Sequence, residues 1–297
     1  MAKLERLIDA HHHLWDLQAC RHTWLLHPGR RFFGDPAPIA KNYHVPEFRK
    51  DAEGFPLVGT VHIQVGVEKD HSVGETDWVS SQADQYDLPS AIVAFCDLTE
   101  EKAQSELDRH QTFSRLRGVR QIVGRDAVEA ARNGTNALLN DIRFKEGLKN
   151  LIERGLSFDL QLTPPLLKAS AKLFQQVENL PVALCHAGSL QDFSREGITD
   201  WEVGLRAFAE VPRAICKLSG FGMFNHDWTA DSIRDYVLRA IDIFGPDRIA
   251  IGSNFPVDKL TGSYSKTIGS YDRITDGFSA SERDAMFYRT AKSFYRI

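Results

Sequence analysis

The sequence predicts an α/β chain folded as a closed parallel barrel, the (β/α)8 or TIM-barrel class. Three observations carry that expectation. Eight short apolar, β-branched runs recur along the chain, segments of helical length separate most of them, and 297 residues is a length that suits such a barrel. A doubly wound open sheet would alternate in the same way, but the glycine-rich turn expected after its first strand is missing.

The strand-like runs fall at residues 4–12, 57–65, 91–97, 116–123, 156–162, 181–186, 214–219 and 248–253. Amphipathic or charge-rich stretches at 75–86, 101–113, 136–153, 166–177 and 231–244 read as the intervening helices. Residues 280–294 read as a closing helix, with Ser279 or Ser281 as its cap. Two stretches break the pattern. Residues 14–53 carry aromatics, prolines and histidines without a clear period, and are expected as an irregular insertion capping the barrel mouth. Residues 261–271, rich in Gly, Ser and Thr, read as a second irregular segment. No repeat or linker divides the chain, so residues 1–297 are expected as one domain.

Composition narrows the function classes. Apolar residues make up 42% and charged residues 26%, and 36 basic against 40 acidic residues give a net charge of −4. That balance offers no basic surface for nucleic acid or anionic membrane. No apolar run approaches the ~20 residues of a membrane span. Cys20, Cys96, Cys185 and Cys216 are widely spaced, three of them in apolar runs, which fits reduced thiols in a cytoplasmic protein.

The residues with chemistry lie at strand ends. In Asp9-Ala10-His11-His12-His13, strand alternation places His11 and His13 on one face and His12 on the other. Two imidazoles at that spacing form half of a zinc or manganese site, and they need partners from elsewhere. His186 ends the buried run Val182-Ala183-Leu184-Cys185 before a small-residue turn, as a barrel active-site group would. Lys217 shares a face with Ser219 on a seventh apolar strand, where an unpaired ammonium is costly. Gln64 with His62, and Gln161 with Asp159, place polar pairs on apolar strands. His62 and Asp159, the deeper members, are expected to satisfy other polar groups across the barrel floor. Arg120, nearer its strand's end than Arg117, is the expected carbonyl- or carboxylate-binding cation, with Arg117 an ion-pair residue among the helices. Asn254 follows the last strand, and Asp258, four residues on, is the nearest carboxylate; it reads as a helix cap or exposed loop acid unless it compensates for the amide at 254.

Taken together, Asp9-Ala10-His11-His12-His13-Leu14-Trp15-Asp16, His22-Thr23-Trp24-Leu25, Leu116-Arg117-Gly118-Val119-Arg120, Cys185-His186-Ala187-Gly188, Lys217-Leu218-Ser219-Gly220 and Ile251-Gly252-Ser253-Asn254-Phe255-Pro256-Val257 resemble the amidohydrolase 2 branch of the amidohydrolase superfamily, which contains sugar lactonases and 2-pyrone-4,6-dicarboxylate lactonase. The resemblance spans nearly the whole chain. It implies a (β/α)8 barrel, lactone hydrolysis, and a site lined by His11, His13 and His186. It also implies an aspartate handling the water's proton at the position held here by Asn254, a departure that puts the general base in question.

The expected function is hydrolysis of a small, sugar-derived lactone. His11, His13, His186 and Asn254 are the catalytic candidates, and Gln64, Arg120, Lys217, Trp24 and Tyr43 the substrate-binding ones. His11, His13 and His186 are also candidate ligands for one divalent metal, Zn or Mn, with metal-free carbonyl activation by the imidazoles as the alternative. A metal-dependent non-oxidative decarboxylase and a catalytically silent ligand-binding barrel are the rival functions. The expected partner is a small-molecule lactone or related acid, and a homo-oligomer is compatible with the chain.

Overall fold

The computed structural model describes residues 4–27, 29–124 and 135–297. Eight parallel strands lie side by side in chain order: β1 (Leu7–His12), β2 (Leu57–Ile63), β3 (Ala91–Ala94), β4 (Leu116–Ile122), β5 (Ser157–Gln161), β6 (Val182–Leu184), β7 (Ala214–Leu218) and β8 (Ile249–Ile251). With helices between the strands this is the (β/α)8 barrel that the alternating pattern predicts.

Each strand's side chains divide by alternation. Leu7, Phe158, Leu160, Val182, Leu184, Cys216, Leu218, Ile249 and Ile251 join the helices in one large apolar core. Ile8, Val61, Ile63, Ala91, Val93, Ala183, Ile215 and Ala250 form a separate inner cluster that fills the barrel. Ala291 and Tyr295, from the end of the chain, pack onto that inner cluster and plug it.

The seam between β8 and β1 closes beyond the strand ends. Asn254 N–H donates to His11 O at 2.7 Å and His13 N–H to Phe255 O at 2.7 Å. Asp9, fully buried, accepts from Ser253 N at 2.9 Å, from His11 N at 3.2 Å and from the Tyr264 hydroxyl at 3.1 Å. The chains approach so closely here that a Cβ on Gly252 would lie 2.6 Å from His11 Cβ.

The expected helices form as Ser72–Tyr86, Ala103–His110, Leu167–Phe174 and Ala230–Phe244. The stretch 136–153 is two helices, Thr135–Asn140 and Ile142–Glu153, because Asp141 adopts extended backbone and caps the second through Arg143 N at 2.9 Å. Arg195–Ala209 supplies the helix between β6 and β7. Ser279 caps Ala280–Asp284, and the closing segment continues through a wide π turn to Thr290–Tyr295.

Two expectations are corrected. The stretch 261–271 is not irregular: Ser263 caps a helix, Tyr264–Ile274, whose buried Tyr264, Ile268, Tyr271 and Ile274 follow helical spacing among Ser, Gly and Thr. Residues 14–53 are also more ordered than expected. They contain helices Thr23–Leu26 and Val45–Asp51, and an antiparallel bridge between Trp15 and Tyr43.

Candidate active site

The site is built first by an irregularity in β1. Asp9 pairs with Thr60 and His12 with His62, so β1 spends three steps where β2 spends two. This bulge turns Ala10 and His11 successively inward. Asp9 is left facing outward to Tyr264, and His12 faces outward to Phe48, with ring centroids 4.3 Å apart. His13 returns to the inner face. The expected division of His11 and His13 from His12 therefore holds, although simple alternation would have carried Asp9 inward with them.

His13 is fixed by its Nδ1, 2.7 Å from Ile63 O. A carbonyl only accepts, so this nitrogen carries the ring proton and Nε2 presents its lone pair. Nε2 faces Asn254 Oδ1 at 3.4 Å. His11 lies beside it, with ring centroids 5.2 Å apart, and both His11 nitrogens are buried without a hydrogen-bond partner among the described residues.

His186 joins them from across the barrel, its ring centroid 4.5 Å from that of His11. The backbone after β6 is left-handed at His186, Ala187, Gly188 and Ser189, and this turn aims the ring inward. The Ser219 hydroxyl lies 2.9 Å from His186 Nδ1, leaving Nε2 for the site. Burial drives the His11 and His186 imidazoles well below the ordinary range and His13 down to about 3, with Arg120 adding to the effect on all three. At neutral pH the cluster is uncharged.

Arg120 is buried on β4, where its guanidinium donates to Gln161 Oε1 at 3.0 Å and to Gln64 O. Gln64 Oε1 accepts from Gly66 N at 2.6 Å. Lys217 also lies inside the barrel, but its Nζ is 2.5 Å from Asp159 Oδ2, and both side chains are wholly buried. The Tyr295 hydroxyl donates to the same carboxylate at 2.9 Å. The charge of Lys217 is thus matched within the protein. Asp159 satisfies a floor partner as expected; His62 does not, because it faces outward and accepts Leu14 N at 3.2 Å through Nδ1. Arg117 donates to the carbonyls of Ser114 and Leu116 rather than to a carboxylate.

Trp24 and Tyr43 belong to the ordered segment after β1. Trp24 is partly buried, donates Nε1 to Val65 O at 2.8 Å and packs its ring against Trp15 and Phe33. Tyr43 is buried, with its hydroxyl 2.7 Å from Asp51 Oδ2. Asp51 also binds Lys259, and so ties this segment to the turn after β8.

Asp258 departs from the expected exposed acid. It is 2% exposed, and its Oδ1 accepts Asn254 Nδ2–H at 2.7 Å. Burial pushes its carboxyl up to about 7, against the pull of the Asn254 hydrogen bond. The four-residue spacing of Asn254 and Asp258 was the available signal: the turn between them closes through Asp258 N to Asn254 O at 3.1 Å.

The imidazoles suit a divalent ion chemically. They are neutral and buried, and both His11 nitrogens have no hydrogen-bond partner among the described residues; imidazole nitrogen is a donor type that binds zinc. Among the described residues, however, no three His, Cys, Asp or Glu side chains are drawn together as a ligand set. No helix among the described residues is long and apolar enough to cross a membrane.

Comparison with known proteins agrees with this architecture. The family model described as Amidohydrolase matches residues 8–297. A Sinorhizobium fredii protein named "Uncharacterized protein y4mH" is 36% identical over 98% of both chains. An L-fucono-1,5-lactonase of Burkholderia multivorans is 25% identical, covering 98% of this chain and 96% of the relative. The crystal structure of an amidohydrolase from Burkholderia multivorans with bound zinc superimposes with a TM-score of 0.83 at 24% identity, covering 98% of this chain and 99% of the other.

Proposed function

We propose a reaction on the premise that this chain belongs to the amidohydrolase family: it opens a small, sugar-derived lactone by attack of water on the ring carbonyl. The observation that carries the reading is the meeting of imidazoles from β1 and β6 with the Asn254 amide after β8, all buried within the barrel. The L-fucono-1,5-lactonases of two Burkholderia species, at 25% and 24% identity, support the choice of substrate class.

His13 Nε2 and Asn254 Oδ1 both accept hydrogen bonds, and together they hold the attacking water. As its oxygen bonds to the carbonyl carbon, one proton passes to His13 Nε2 and the carbonyl π pair moves onto oxygen. Arg120 and Gln64 orient that oxygen and stabilise its growing charge. The resting His13 is a weak base, but the negative charge of the tetrahedral intermediate raises its proton affinity as the transfer proceeds. Collapse of the intermediate breaks the ring C–O bond, and the proton returns to the departing ring oxygen, giving a hydroxy acid. Trp24 and Tyr43 belong to the segment that covers the substrate and excludes bulk water. A neutral sugar lactone fits better than a dicarboxylate, since Asp159 already matches the charge of Lys217.

In the metal-bound alternative, His11, His13 and His186 would hold one divalent ion, zinc or manganese, with His13 Nε2 a ligand in place of its role as proton acceptor. When bound, such an ion supplies Lewis-acid polarisation and a water of lowered pKa.

The test is a panel of sugar lactones, L-fucono-1,5-lactone included, followed by acid release with and without chelator. Elemental analysis of protein purified without chelator accompanies it. Turnover of at least one sugar lactone, lost in His186→Ala, is the expected result. Calorimetric binding of a lactone with no turnover would overturn the hydrolase reading in favour of a silent barrel.

A further inference from the structure

Asn254 and Asp258 form a closed unit within the barrel wall. Asn254 adopts a left-handed backbone, φ +58°, which asparagine tolerates better than most residues. The following turn returns Asp258 to it, and both side chains are buried. An asparagine amide can be placed in two orientations that differ only in which end bears the hydrogens. Here the partner decides. Ionised, above its pKa of about 7, the carboxylate can only accept, so the amide nitrogen faces Asp258 across the 2.7 Å contact and the amide oxygen faces His13.

We infer that Asp258 is a positioning residue for the reaction: it clamps the Asn254 amide so that Oδ1, and not the NH2 group, points at His13 Nε2. This deepens the proposed hydrolysis and rests on that reading for its catalytic consequence. Two acceptors 3.4 Å apart have no attraction for each other. They are complementary to a molecule with two O–H donors, and a water held by both hydrogens presents its lone pairs for attack. Released from the clamp, the amide could turn its NH2 group to His13 Nε2 and occupy that lone pair itself.

The clamp also makes residues 254 and 258 one acid–amide pair. Asn254→Asp alone would set two carboxyl groups at hydrogen-bond distance, where they must share a proton. Restoring an acid at 254 therefore requires an amide at 258. The exchanged pair, Asn254→Asp with Asp258→Asn, keeps one donor and one acceptor across the contact and turns the carboxylate toward His13.

Two readouts test this in the intact protein. The first needs no activity: in 1H–15N spectra the Asn254 side-chain NH2 pair is assigned by its disappearance in Asn254→Asp. Its exchange with solvent is expected to quicken by at least about 10-fold in Asp258→Ala. Unchanged exchange overturns the clamp. The second uses whichever lactone the wild type turns over. Asp258→Ala is expected to lower kcat by about 30- to 100-fold with KM held within about 2-fold, and the exchanged pair to exceed either of its single variants by at least about 10-fold. Wild-type kcat in Asp258→Ala, or an exchanged pair no better than its singles, overturns the inference. If Asp258→Ala does not fold, Asp258→Leu, similar in shape and without an acceptor, takes its place in both readouts, judged by the same outcomes. If the wild type opens no lactone, the proposed function fails, and amide exchange alone decides the clamp.

Discussion

Lys217 Nζ lies 2.5 Å from Asp159 Oδ2, with both side chains sealed from solvent inside the barrel. Lys217→Met would leave a buried carboxylate facing only the Tyr295 hydroxyl and Cys185. Loss of one partner from such a pair costs about 3–5 kcal/mol, while removal of both charges is far milder. Urea unfolding at pH 7 should show that loss for Lys217→Met, and recovery of most of it when Asp159→Leu is added. Equal stability of wild type and Lys217→Met would show that the pair does not hold the floor.

Gly220 has φ +68°, and a Cβ there would lie 2.5 Å from His186 Nδ1. Gly220→Ala must displace the ring from Ser219, and should reduce kcat/KM by about 100-fold and stability by about 1–3 kcal/mol. Gly155 is a matched control, with φ +66° and nothing within 4 Å of its Cβ position. Gly155→Ala should show the backbone strain without the catalytic loss. Similar activity in the two variants would remove the steric argument.

Asp258 carries a stability cost that depends on pH. Its carboxyl rises from 3.8 to about 7 on folding, so the folded state favours the neutral acid. The cost is absent below the unfolded pKa, grows as pH rises through the window from about 4 to 7, and is constant above it. Asp258→Asn removes it, and should stabilise the protein at pH 8 but much less at pH 5, with a ceiling of about 4 kcal/mol. Urea midpoints at the two pH values measure this. A variant that gains stability while losing turnover would be the expected exchange of function for stability at a site residue. An equal effect at both pH values would contradict the buried acid.

The Ser219 hydroxyl fixes His186 through Nδ1 at 2.9 Å. Removing an outer partner of an active-site imidazole typically costs about 10- to 100-fold in activity or metal affinity. Ser219→Ala is therefore expected to lower kcat/KM by about 10-fold, and zinc affinity by a similar factor if the three imidazoles hold the metal. Lactone kinetics and zinc titration together check both, and an unaffected pair of values would show that Ser219 does not orient the ring.

The barrel was legible because its signal is repetitive: eight apolar runs, each too short for a helix, with helical segments between them. His11, His13 and His186 were legible because each ends a strand, and strand ends of a parallel barrel meet. What escaped depended on departures from regular geometry. Alternation alone would have placed Asp9 on the face of His11, and only the bulge in β1 separates them. The same alternation grouped His62 with the inner polar residues, whereas it turns outward to Leu14. The helix Tyr264–Ile274 was hidden because Ser, Gly and Thr masked its apolar spacing. Asp258 read as an exposed acid because burial of a carboxyl depends on the fold around it, and no local pattern records that.

Tyr295 donates to Asp159, so the barrel interior is completed by a side chain synthesised 136 residues after its acceptor. Asp159 and Lys217 are synthesised well before it and must wait, paired with each other, until the helix Thr290–Tyr295 arrives. Truncation before Tyr295 would therefore test whether a nascent barrel can mature without its stopper.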